Sequence, residues 1–524
     1  MAIANGLNRL RFIVGWAESA EAALQRARAF QEGCVPNIYH EGNDALTVDT
    51  PDPALNRMLN GWLLHQVKAS RFYGRTGFCQ PGGAYGFRDQ LQDALALLIT
   101  EPSVVRGHIL MCAARQFAAG DVLHWWHMPF DGVRTRIMDD RLFLPWVAAA
   151  YVRRTEDRGI LDEVIPYLED APIPEGKEDI YRSMNPGPER GTLHDHCMRA
   201  FRAAETGRHG LALMGAGDWN DGMNRVGAAG AGESVWLSEF VAACADSYAD
   251  ICGNEADAEW LRGLARRHRG AVELYGWDGG WYRRAYMDDG TPLGSAEGEV
   301  CQIDLIAQAW AVLAGLSKDR CHAAMEAAWS LLVDEKQGVV KLLTPPFTSD
   351  GVDPGYIRGY PGGIRENGAQ YTHGACWLLL ALIEMGDAER AHAALKMLLP
   401  PHHADTPEKA RRYRVEPYVT AADIYTLPRS EGRGGWTWYT GSAAWLYVAA
   451  LRLLGFERRG DRVRLNALLG EWDEASVTLR HGSSTYRLVC RRDAKRVTLD
   501  GVPTEEGYIA LHDDGRNHEA VFPA

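Results

Sequence analysis

Apolar residues recur three and four positions apart along most of the chain between residues 53 and 455. This spacing predicts amphipathic helices. Twelve segments show it: 53–72, 89–101, 103–118, 139–155, 192–206, 235–252, 256–274, 302–315, 319–333, 371–385, 387–398 and 441–454. Many are paired across short turns, and long connections rich in Gly, Trp and Asp separate alternate pairs. A double-layered ring of six inner and six outer helices accommodates this, because antiparallel pairs need short turns at one end and leave long loops at the other. An α-solenoid is disfavoured because no fixed repeat period is found.

The pattern changes after about residue 457, where apolar and polar residues alternate in short runs. Gly, Asp and Asn separate the runs, and this combination predicts strands joined by turns. The predicted strands are 476–479, 484–491, 496–499, 508–511 and 518–522. We therefore expect a mainly α protein with a small C-terminal antiparallel β domain.

The N-terminal segment differs from both of these regions. A strand-like run at 10–14 precedes Ser19, which is placed to cap an Ala-rich helix through about Phe30. The run has no obvious local partner strand, so we expect it to be the end of a domain whose remainder is missing or lies on another polypeptide. The predicted division is residues 1–52 as strand and linker helix, 53–455 as the helical domain and 456–524 as the β domain.

Composition narrows the class of protein. The chain has 524 residues, of which 46% are hydrophobic, enough to bury a large core. Its 56 basic and 69 acidic residues give a net charge of −13 without a basic block, which argues against nucleic acid or an anionic membrane surface as a partner. No apolar run reaches the roughly 18 residues that span a bilayer, and no signal pattern is seen. The ten cysteines lack CxxC spacing, so a reduced, cytoplasmic chain without a structural metal is expected.

Residues 215–227 read Gly-Ala-Gly-Asp-Trp-Asn-Asp-Gly-Met-Asn-Arg-Val-Gly, a stretch too polar for a core segment and too irregular for a helix or strand. Such a loop presents side chains. Asp218 and Asp221 flank Trp219, so backbone amides in a turn can hold one carboxylate while the other stays free for proton transfer. An Asx-rich turn with Trp219 in the core is the structural alternative. A calcium loop is disfavoured because Trp219 and Met223 interrupt the ligand alternation.

A glycine-rich approach at residues 82–86 leads into a predicted helix whose first turn carries Arg88, Asp89, Gln92 and Asp93. Asp89 and Asp93 lie four apart on one helical face, so the pair can accept hydrogen bonds from sugar hydroxyls. Helix capping is the alternative, because the helix dipole favours Asp near an N-terminus.

An aromatic patch follows at His124, Trp125, Trp126 and His127. The two histidines have the residue type of metal ligands, but no third ligand lies at a helpful spacing. A wall of a substrate pocket and a buried aromatic cluster are the two interpretations left open.

Two further polar stretches lead directly into predicted helices. Residues 359–373 carry a dense set of donors and acceptors: Arg365, Glu366, Asn367, Gln370 and His373. Residues 433–443 carry Arg433, Thr440 and Gly441. With Thr440 as N-cap, free amides, the helix dipole and nearby Arg433 together predict an anion site, which the small Gly441 leaves open to the ligand. A plain cap with nothing bound is the alternative.

Together these five stretches describe one pocket that contains tryptophan, carboxylates, a histidine and an anion site. Cleavage of a glycosidic bond with inversion needs an acid for the leaving oxygen and a nucleophile on the opposite face of the sugar. If the anion is phosphate, the phosphate itself is that nucleophile.

The motifs GFRDQLQD, GDWNDGMNRVG, IRENGAQYTH and GGWTWYTGSA resemble, in order and interval, those of glycoside hydrolase family 94, the inverting cellobiose and chitobiose phosphorylases. The details HWWH and LLTPPF are most similar to the branch with 1,2-β-oligoglucan phosphorylases and the C-terminal module of cyclic β-1,2-glucan synthases. The resemblance covers essentially the whole chain and implies an (α/α)6 barrel with a C-terminal β domain. Family members usually carry a large N-terminal β-sandwich, of which only the last strand has a counterpart here.

The resemblance also implies roles for single residues. Asp221 corresponds to the family's general acid, and Trp219 to a residue lining the sugar subsite where cleavage occurs. Asp89 would bind hydroxyls of the same glucose, helped by Arg88 and Glu366. The further expected substrate contacts are Asp218 and Gln370. The expected phosphate ligands are His373, Thr440, Gly441 and Arg433.

One departure from the family pattern concerns a basic residue. The arginine that cellobiose-type members carry a few residues before the FRD motif has no counterpart here, where Gly82 and Gly83 stand instead. Arg75 is a substitute to be considered for its contact to sugar or phosphate.

These observations lead us to expect reversible phosphorolysis of β-linked glucosides, in particular β-1,2-glucooligosaccharides, to α-D-glucose 1-phosphate. Inorganic phosphate is then a co-substrate, and no cofactor or metal is expected. An inverting glucosidase is the runner-up, with Glu366 or Asp218 as the base. A non-catalytic glucan-binding module of a larger synthase is the third alternative. The expected assembly is a homodimer or part of a larger synthase chain, in the cytoplasm or on an inner-membrane-bound synthase.

Overall fold

The computed structural model describes residues 19–31, 45–73, 83–504 and 507–524. The strand predicted at 10–14 lies outside these residues. The helix predicted after Ser19 is confirmed as α1 (Ala20–Gln31), and the Ser19 hydroxyl accepts a hydrogen bond from the amide of Ala22. This is the cap that the sequence indicated.

All twelve predicted helical segments are helices. The first is a continuous run over residues 53–73, in which π-helical turns at Met58–Trp62 and Lys68–Tyr73 alternate with α2 (Pro53–Arg57) and α3 (Leu63–Val67). The other helices are α4 (Phe87–Ala94), α5 (Pro102–Ala113), α6 (Phe143–Thr155), α7 (Leu193–Arg202), α8 (Val235–Ala249), α9 (Glu255–Ala271), α10 (Leu305–Leu313), α11 (Lys318–Leu332), α12 (Thr372–Glu384), α13 (Ala388–Leu398), α14 (Pro407–Tyr413) and α15 (Thr440–Leu453). The sequence did not predict α14, because seven residues are too few to display a helical period.

Six of these helices form a closed ring. Helix α4 contacts α6, which contacts α8, and the series continues through α10, α12 and α15 back to α4. A second helix packs against each member: α3 on α15, α5 on α4, α7 on α6, α9 on α8, α11 on α10 and α13 on α12. The mainly α prediction is confirmed, and the contacts place alternate helices of the sequence in two layers.

Sequence composition explains which helix belongs to which layer. Every residue of α8 except Asp246 is buried, so this helix is apolar on all sides. Its outer neighbour α9 buries one stripe and exposes the rest. A helix that is hydrophobic around its whole circumference must lie inside, whereas an amphipathic helix covers it.

Large aromatic side chains fill the ring where its helices meet. The ring of Trp377 lies 5.4 Å from Trp310, 5.7 Å from Trp445 and 5.9 Å from Trp236, measured between centroids. Each of these tryptophans comes from a different inner helix. The cluster makes the middle of the ring a packed core, and polar groups collect beyond it at one end.

Short strands in the connections arrange the loops at that end. They are β2 (Tyr85–Gly86), β3 (Leu123–His127), β4 (Asp131–Thr135), β5 (Val164–Leu168), β6 (Asp179–Ser183), β7 (Pro186–Thr192), β8 (Ala212–Leu213), β9 (Glu233–Ser234), β10 (Ala285–Tyr286), β11 (Pro292–Leu293), β12 (Ile303–Asp304), β13 (Val333–Asp334), β14 (Val339–Val340), β15 (Leu343–Thr344), β16 (Gln370–Tyr371) and β17 (Asp423–Ile424). Several end where an inner helix begins: β2 leads into α4, β9 into α8, β12 into α10 and β16 into α12. The pairing of these strands therefore fixes the first turns of the inner helices.

The remaining strands form the β part of the fold: β1 (Leu46–Asp49), β18 (Glu457–Arg459), β19 (Arg462–Arg464), β20 (Glu474–His481), β21 (Ser484–Arg491), β22 (Thr498–Leu499), β23 (Val502–Pro503), β24 (Ile509–Ala510) and β25 (Asn517–Pro523). The main sheet has the order β1-β20-β21-β25-β22-β23. Strand β1 comes from the N-terminal segment and pairs with β20, with Val48 opposite Val477. The C-terminal sheet is thus completed by residues that precede the helical ring.

One predicted feature of this sheet is wrong. Strands β21 and β25 are parallel, with Val489 opposite Val521, so the sheet is mixed and not antiparallel throughout. Parallel neighbours need a crossover connection of a dozen or more residues, and residues 492–516 provide it. Alternation along a strand does not reveal the direction of its neighbour, which is why the sequence could not show this. In the part of the chain that is described, none of the helices combines the length and apolarity needed to traverse a bilayer.

Candidate active site

The polar residues singled out in the sequence converge at the N-terminal ends of the inner helices. Arg88 and Asp89 lie in the first turn of α4, His373 in the first turn of α12, and Thr440 begins α15. The loop of residues 215–227 passes over this end of the ring, where Trp219 packs against Trp377 at 4.9 Å between centroids. Helix N-termini carry partial positive charge, so this end of the ring favours anions.

Asp218 anchors that loop. Its Oδ1 and Oδ2 accept hydrogen bonds from Nη2 and Nη1 of Arg284 at 2.6 and 2.7 Å. The Ser234 hydroxyl and the Asn220 amide donate to the same carboxylate. Asp218 and Arg284 are both fully buried. The predicted substrate contact of Asp218 is therefore wrong, because a carboxylate with both oxygens bonded and no exposed surface can neither reach a sugar nor act as a base.

Asp221, three residues later, keeps its carboxylate 33% exposed. Its Oδ1 accepts a hydrogen bond from Nη2 of Arg88 at 2.8 Å. The Nη1 atom of Arg88 lies 3.0 Å from each oxygen of Asp139 and also donates to the carbonyl of Asp218. Arg88 is thus a largely buried partner that orients Asp221. Its predicted contact to sugar stays a prediction.

His124 is a neighbour of Asp221 that the sequence did not assign to the site. Its Nδ1 lies 2.7 Å from Oδ2 of Asp140, and its Nε2 lies 3.7 Å from Oδ2 of Asp221. Burial lowers the pKa of the His124 imidazole, but the carboxylates of Asp140 and Asp221 outweigh it and raise the pKa to about 9. The imidazole is therefore cationic at neutral pH. The HWWH patch was interpreted either as a wall of a substrate pocket or as a buried aromatic cluster. His124 fits the first interpretation, whereas Trp126 is fully buried and fits the second.

Asp89 presents a carboxylate to the same space. Its side chain is 44% exposed, and its ion pair with Nη2 of Arg71 is long, at 4.0 Å. Burial raises the pKa of Asp89, but the guanidinium groups of Arg71 and Arg88 lower it below its ordinary value. The carboxylate is an ionised acceptor. A Cβ on Gly86 would approach its Oδ2 to 2.4 Å, so the glycine before the FRD motif makes room for it.

Arg71 links this acidic group to the start of α15. Its Nε donates to Oδ2 of Asp93 at 2.6 Å, and its Nη2 donates to the Thr440 hydroxyl at 3.0 Å. That hydroxyl donates to Asp93 at 2.5 Å. The Nη1 atom of Arg71 is buried without a hydrogen-bond partner among the described residues. The prediction of Thr440 as N-cap is wrong: Tyr439 is the cap residue, and Thr440 is the first helical residue.

Of the two basic residues considered in the sequence, Arg433 lies in the described part of the chain. Arg433 is an exposed loop residue with its guanidinium 5.8 Å from the ring centroid of Tyr425, and no contact joins it to Thr440. Its predicted anion contact stays a prediction. Arg75 lies outside the described residues. The sequence did not indicate Arg71 as a site residue, because it lies inside a predicted helix, where a charged residue more often faces solvent.

His373 lies against Gly441 and the tryptophans. Its ring centroid is 5.0 Å from Trp219 and 4.9 Å from Trp377, and a Cβ on Gly441 would approach its Nδ1 to 3.0 Å. Both ring nitrogens are buried without a hydrogen-bond partner in the described part of the chain. Burial, and then the charge of Arg88, lower the pKa of His373 to about 3. The imidazole is therefore neutral, with one N–H donor and one acceptor left for a ligand.

Glu366 pairs with its neighbour on the rim of the site. Its carboxylate oxygens lie 3.2 and 3.3 Å from Nε and Nη2 of Arg365, whose guanidinium lies 4.9 Å from the ring centroid of Trp436. A cavity of about 930 Å³ adjoins this pair. Its lining residues are Ser70, Arg365, Glu416, Tyr425, Gly435, Trp436, Thr437 and Trp438. Such an aromatic and polar lining suits sugar rings.

Gln370 lies on β16, the strand that leads into α12. It is fully buried, and its Oε1 accepts a hydrogen bond from the amide of Val340 at 2.8 Å. Its Nε2 is buried without a hydrogen-bond partner among the described residues. The predicted substrate contact of Gln370 stays a prediction.

Comparison with known proteins adds to this geometry. A model described as the catalytic domain of the glycosyl hydrolase 94 superfamily matches residues 39–455. The chain belongs to this superfamily. The resemblance drawn from the four motifs is thereby confirmed.

Two relatives of this glycosyl hydrolase 94 chain are informative. It is 45% identical to the cyclic beta-(1,2)-glucan synthase NdvB of Rhizobium meliloti (strain 1021), over 91% of this chain and 17% of that protein. It is 31% identical to the solabiose phosphorylase of Paenibacillus borealis, over 90% of this chain and 60% of that enzyme. The chain thus spans a small part of the first relative and about three fifths of the second.

A solved structure with a similar fold is the GH78 family rhamnosidase of Bacillus sp. GL1. The TM-score is 0.54 at 12% sequence identity, and the match covers 92% of this glycosyl hydrolase 94 chain and 44% of the rhamnosidase. At that identity the likeness concerns the fold alone.

The buried Asp218–Arg284 pair makes a testable prediction for stability. Asp218→Asn keeps the shape of the side chain but leaves the buried guanidinium of Arg284 without its bidentate partner, so we expect a loss of about 3–5 kcal/mol in unfolding free energy. Urea denaturation followed by tryptophan fluorescence measures it. Glu408→Gln, which breaks the exposed pair with Arg411, is the control and should leave the midpoint unchanged. Equal midpoints for the two variants would contradict the anchoring role.

Proposed function

We propose that the chain is the catalytic part of an inverting glycoside phosphorylase, an enzyme of the glycosyltransferase type. It uses inorganic phosphate to cleave β-linked glucooligosaccharides and releases α-D-glucose 1-phosphate. The observation that carries this proposal is a set of buried nitrogen atoms without partners among the described residues, Nη1 of Arg71 and the ring nitrogens of His373, beside the start of α15. Unsatisfied buried donors call for a ligand, and an anion suits a guanidinium at a helix N-terminus.

The phosphate site is assembled from three kinds of donor. Asp93 and Thr440 hold the guanidinium of Arg71 in place, so its free Nη1 has a fixed direction. His373 adds a neutral N–H, and Gly441 lets the ligand approach the backbone of α15 because it has no side chain. A neutral imidazole and a fixed guanidinium bind phosphate without requiring a change of protonation.

The sugar and the acid of this proposal lie beside Trp219. This ring packs edge-on against His373, and Asp221 follows two residues later. We assign Asp221 as the general acid, since it is the partly exposed carboxylate of the loop and Arg88 orients it. Asp89, ionised and exposed, accepts hydrogen bonds from sugar hydroxyls, and Glu366 contributes from the rim.

An inverting glucosidase fits these groups less well. Such an enzyme needs a second carboxylate as the base that activates water. Asp218 is buried in its pair with Arg284, and Glu366 is paired with Arg365. Neither candidate base is available in the form that hydrolysis requires.

We also infer that the closed double ring of helices is the (α/α)6 barrel of the family, with residues 53–455 as the catalytic domain and 456–524 as the β domain. The glucan linkage we favour is β-1,2, because a relative with 45% identity is named a cyclic beta-(1,2)-glucan synthase. Phosphate is the co-substrate, and we place the enzyme in the cytoplasm, as a homodimer or within a longer synthase chain.

The first test of this function is the phosphate dependence of bond cleavage. With phosphate present, we expect sophorose oligomers to yield α-D-glucose 1-phosphate, detected by ³¹P and ¹H NMR, because the phosphate is the nucleophile. Cellobiose and laminaribiose serve as linkage controls and should react more slowly. Release of free glucose at the same rate without phosphate would support the glucosidase, and turnover of no β-glucoside would support the non-catalytic module.

A second test removes the acid. In Asp221→Asn we expect kcat for phosphorolysis to fall by about 10²–10⁴-fold, since the amide cannot donate a proton to the leaving oxygen. Oligosaccharide binding by calorimetry should persist. Asp493→Asn, a change of the same type at an exposed β-domain residue, is the matched control. An Asp221→Asn variant as active as the control would remove Asp221 from the mechanism.

A third test separates phosphate from sugar. His373→Leu removes the ring nitrogens at similar volume, and we expect the KM for phosphate to rise about tenfold or more, because a hydrogen bond to a charged group contributes about 1.5–3 kcal/mol. Oligosaccharide affinity should change little. His403→Leu, at a buried histidine bonded to the Met397 carbonyl, is the matched control: it should lower thermal stability and leave the phosphate KM unchanged. A larger change in sugar affinity than in phosphate KM would place His373 in a sugar subsite instead.

A further inference from the structure

His124 is held between two carboxylates, one of them that of Asp221. It lies on β3, whose pairing with β4 keeps the strand in place beside the ring. Its Nδ1 is 2.7 Å from Oδ2 of Asp140, a residue with almost no exposed surface that precedes α6. Its Nε2 points to Oδ2 of Asp221 at 3.7 Å. The ring therefore has one nitrogen fixed by a buried acid and the other directed at the candidate general acid.

A general acid must be protonated again in every catalytic cycle. Within the described residues, two side chains form ion-pair contacts with Asp221: those of Arg88 and His124. The guanidinium of Arg88 does not release protons in proteins. The imidazole of His124 takes up and releases a proton at accessible pH. The other acids that interact with the charge of the His124 ring are Asp89 and Asp140.

We propose that His124, oriented by Asp140, supplies the proton that Asp221 delivers to the glycosidic oxygen. This inference rests on the proposed function, in which Asp221 is the general acid. His124 is a positioning and proton-supplying residue that acts through Asp221, and it does not itself touch the substrate.

The step balances in protons and electrons. The Nε2–H bond of His124 breaks with its electron pair left on nitrogen, and an O–H bond forms on Asp221. Asp221 gives this proton to the glycosidic oxygen as the bond from C1 to that oxygen breaks and the oxygen keeps the electron pair. An oxygen of hydrogen phosphate forms the new bond to C1. The proton that this phosphate then loses returns, through solvent, to His124.

The distances allow the transfer after a small movement. A separation of 3.7 Å is longer than a hydrogen bond, and a shift of about 1 Å brings Nε2 and Oδ2 into range. Catalytic hydrogen bonds are often long before substrate binds and shorten in the complex. Asp221 is partly exposed, so its side chain has room for this movement.

The pH dependence follows from the protonated state of His124. The pKa of the His124 imidazole is raised to about 9, so the ring is protonated below that pH and neutral above it. Phosphorolysis by the wild-type chain should therefore hold its kcat up to about pH 9 and lose it above. Asp140→Asn removes one of the negative charges that raise the pKa, so its loss of kcat should begin at a lower pH.

The decisive experiment compares pH profiles of kcat for wild type, His124→Gln and Asp140→Asn. In His124→Gln we expect kcat to fall by about 10²-fold with little change in either KM, and the loss above pH 9 to disappear. Imidazole added to His124→Ala should restore part of the activity. His127→Gln, on the same strand, is the matched control and should retain the wild-type profile. Thermal unfolding of each variant reports any purely structural effect.

Several outcomes would overturn the inference. One is a His124→Gln variant with wild-type kcat and pH profile; another is a loss confined to KM or to thermal stability. If the wild-type chain does not form glucose 1-phosphate, the proposed function fails by itself, and NMR titration of the His124 imidazole decides the proton coupling. If His124 and Asp221 are coupled, the pKa of the His124 imidazole falls in Asp221→Asn. An unchanged His124 titration in that variant would exclude the coupling.

Discussion

Buried guanidinium groups at the end of the helical ring hold the acidic loop in place, and the arrangement of the site depends on them. Arg284 binds both oxygens of Asp218, and Arg88 binds Asp139 and Asp221. Charges buried in this way are tolerable only when they are paired and hydrogen-bonded. The pairs therefore fix the loop over the ring with little freedom.

This constraint divides the conspicuous polar residues into two groups. Asp218 has both carboxylate oxygens bonded within the protein, and Arg88 donates to Asp139 and Asp221, so these two residues serve as supports. Asp89 and Asp221 keep exposed carboxylates. The second group lies where the N-terminal ends of the inner helices meet, which is the position from which side chains and helix dipoles act on one ligand.

The environment of each titratable group explains how similar residues differ. His124 and His373 are both largely enclosed. Burial and the charge of Arg88 lower the pKa of His373 against the opposing charge of Asp89, whereas the carboxylates of Asp140 and Asp221 raise the pKa of His124. The first is a neutral donor suited to an anion, and the second is a cation at neutral pH. The contrast arises from neighbours that are distant in sequence, Asp140 and Asp221 in the case of His124.

The sequence by itself determined the twelve helices, five strands after residue 457 and the loops that carry the polar motifs, because helical period, strand alternation and glycine-rich turns are local properties. It missed the short strands β18, β19 and β23. It also placed Trp219, His373 and Gly441 in one site. Only the tertiary structure decided which polar atoms remain free. It showed that Asp218 is fully buried with both oxygens bonded, and it made two strands parallel. It also brought Arg71 and His124 beside the predicted site residues and identified Arg284 as the partner of Asp218. The physical reason is that burial and pairing partners are set by segments tens to hundreds of residues apart, and spacing along the chain carries no record of them.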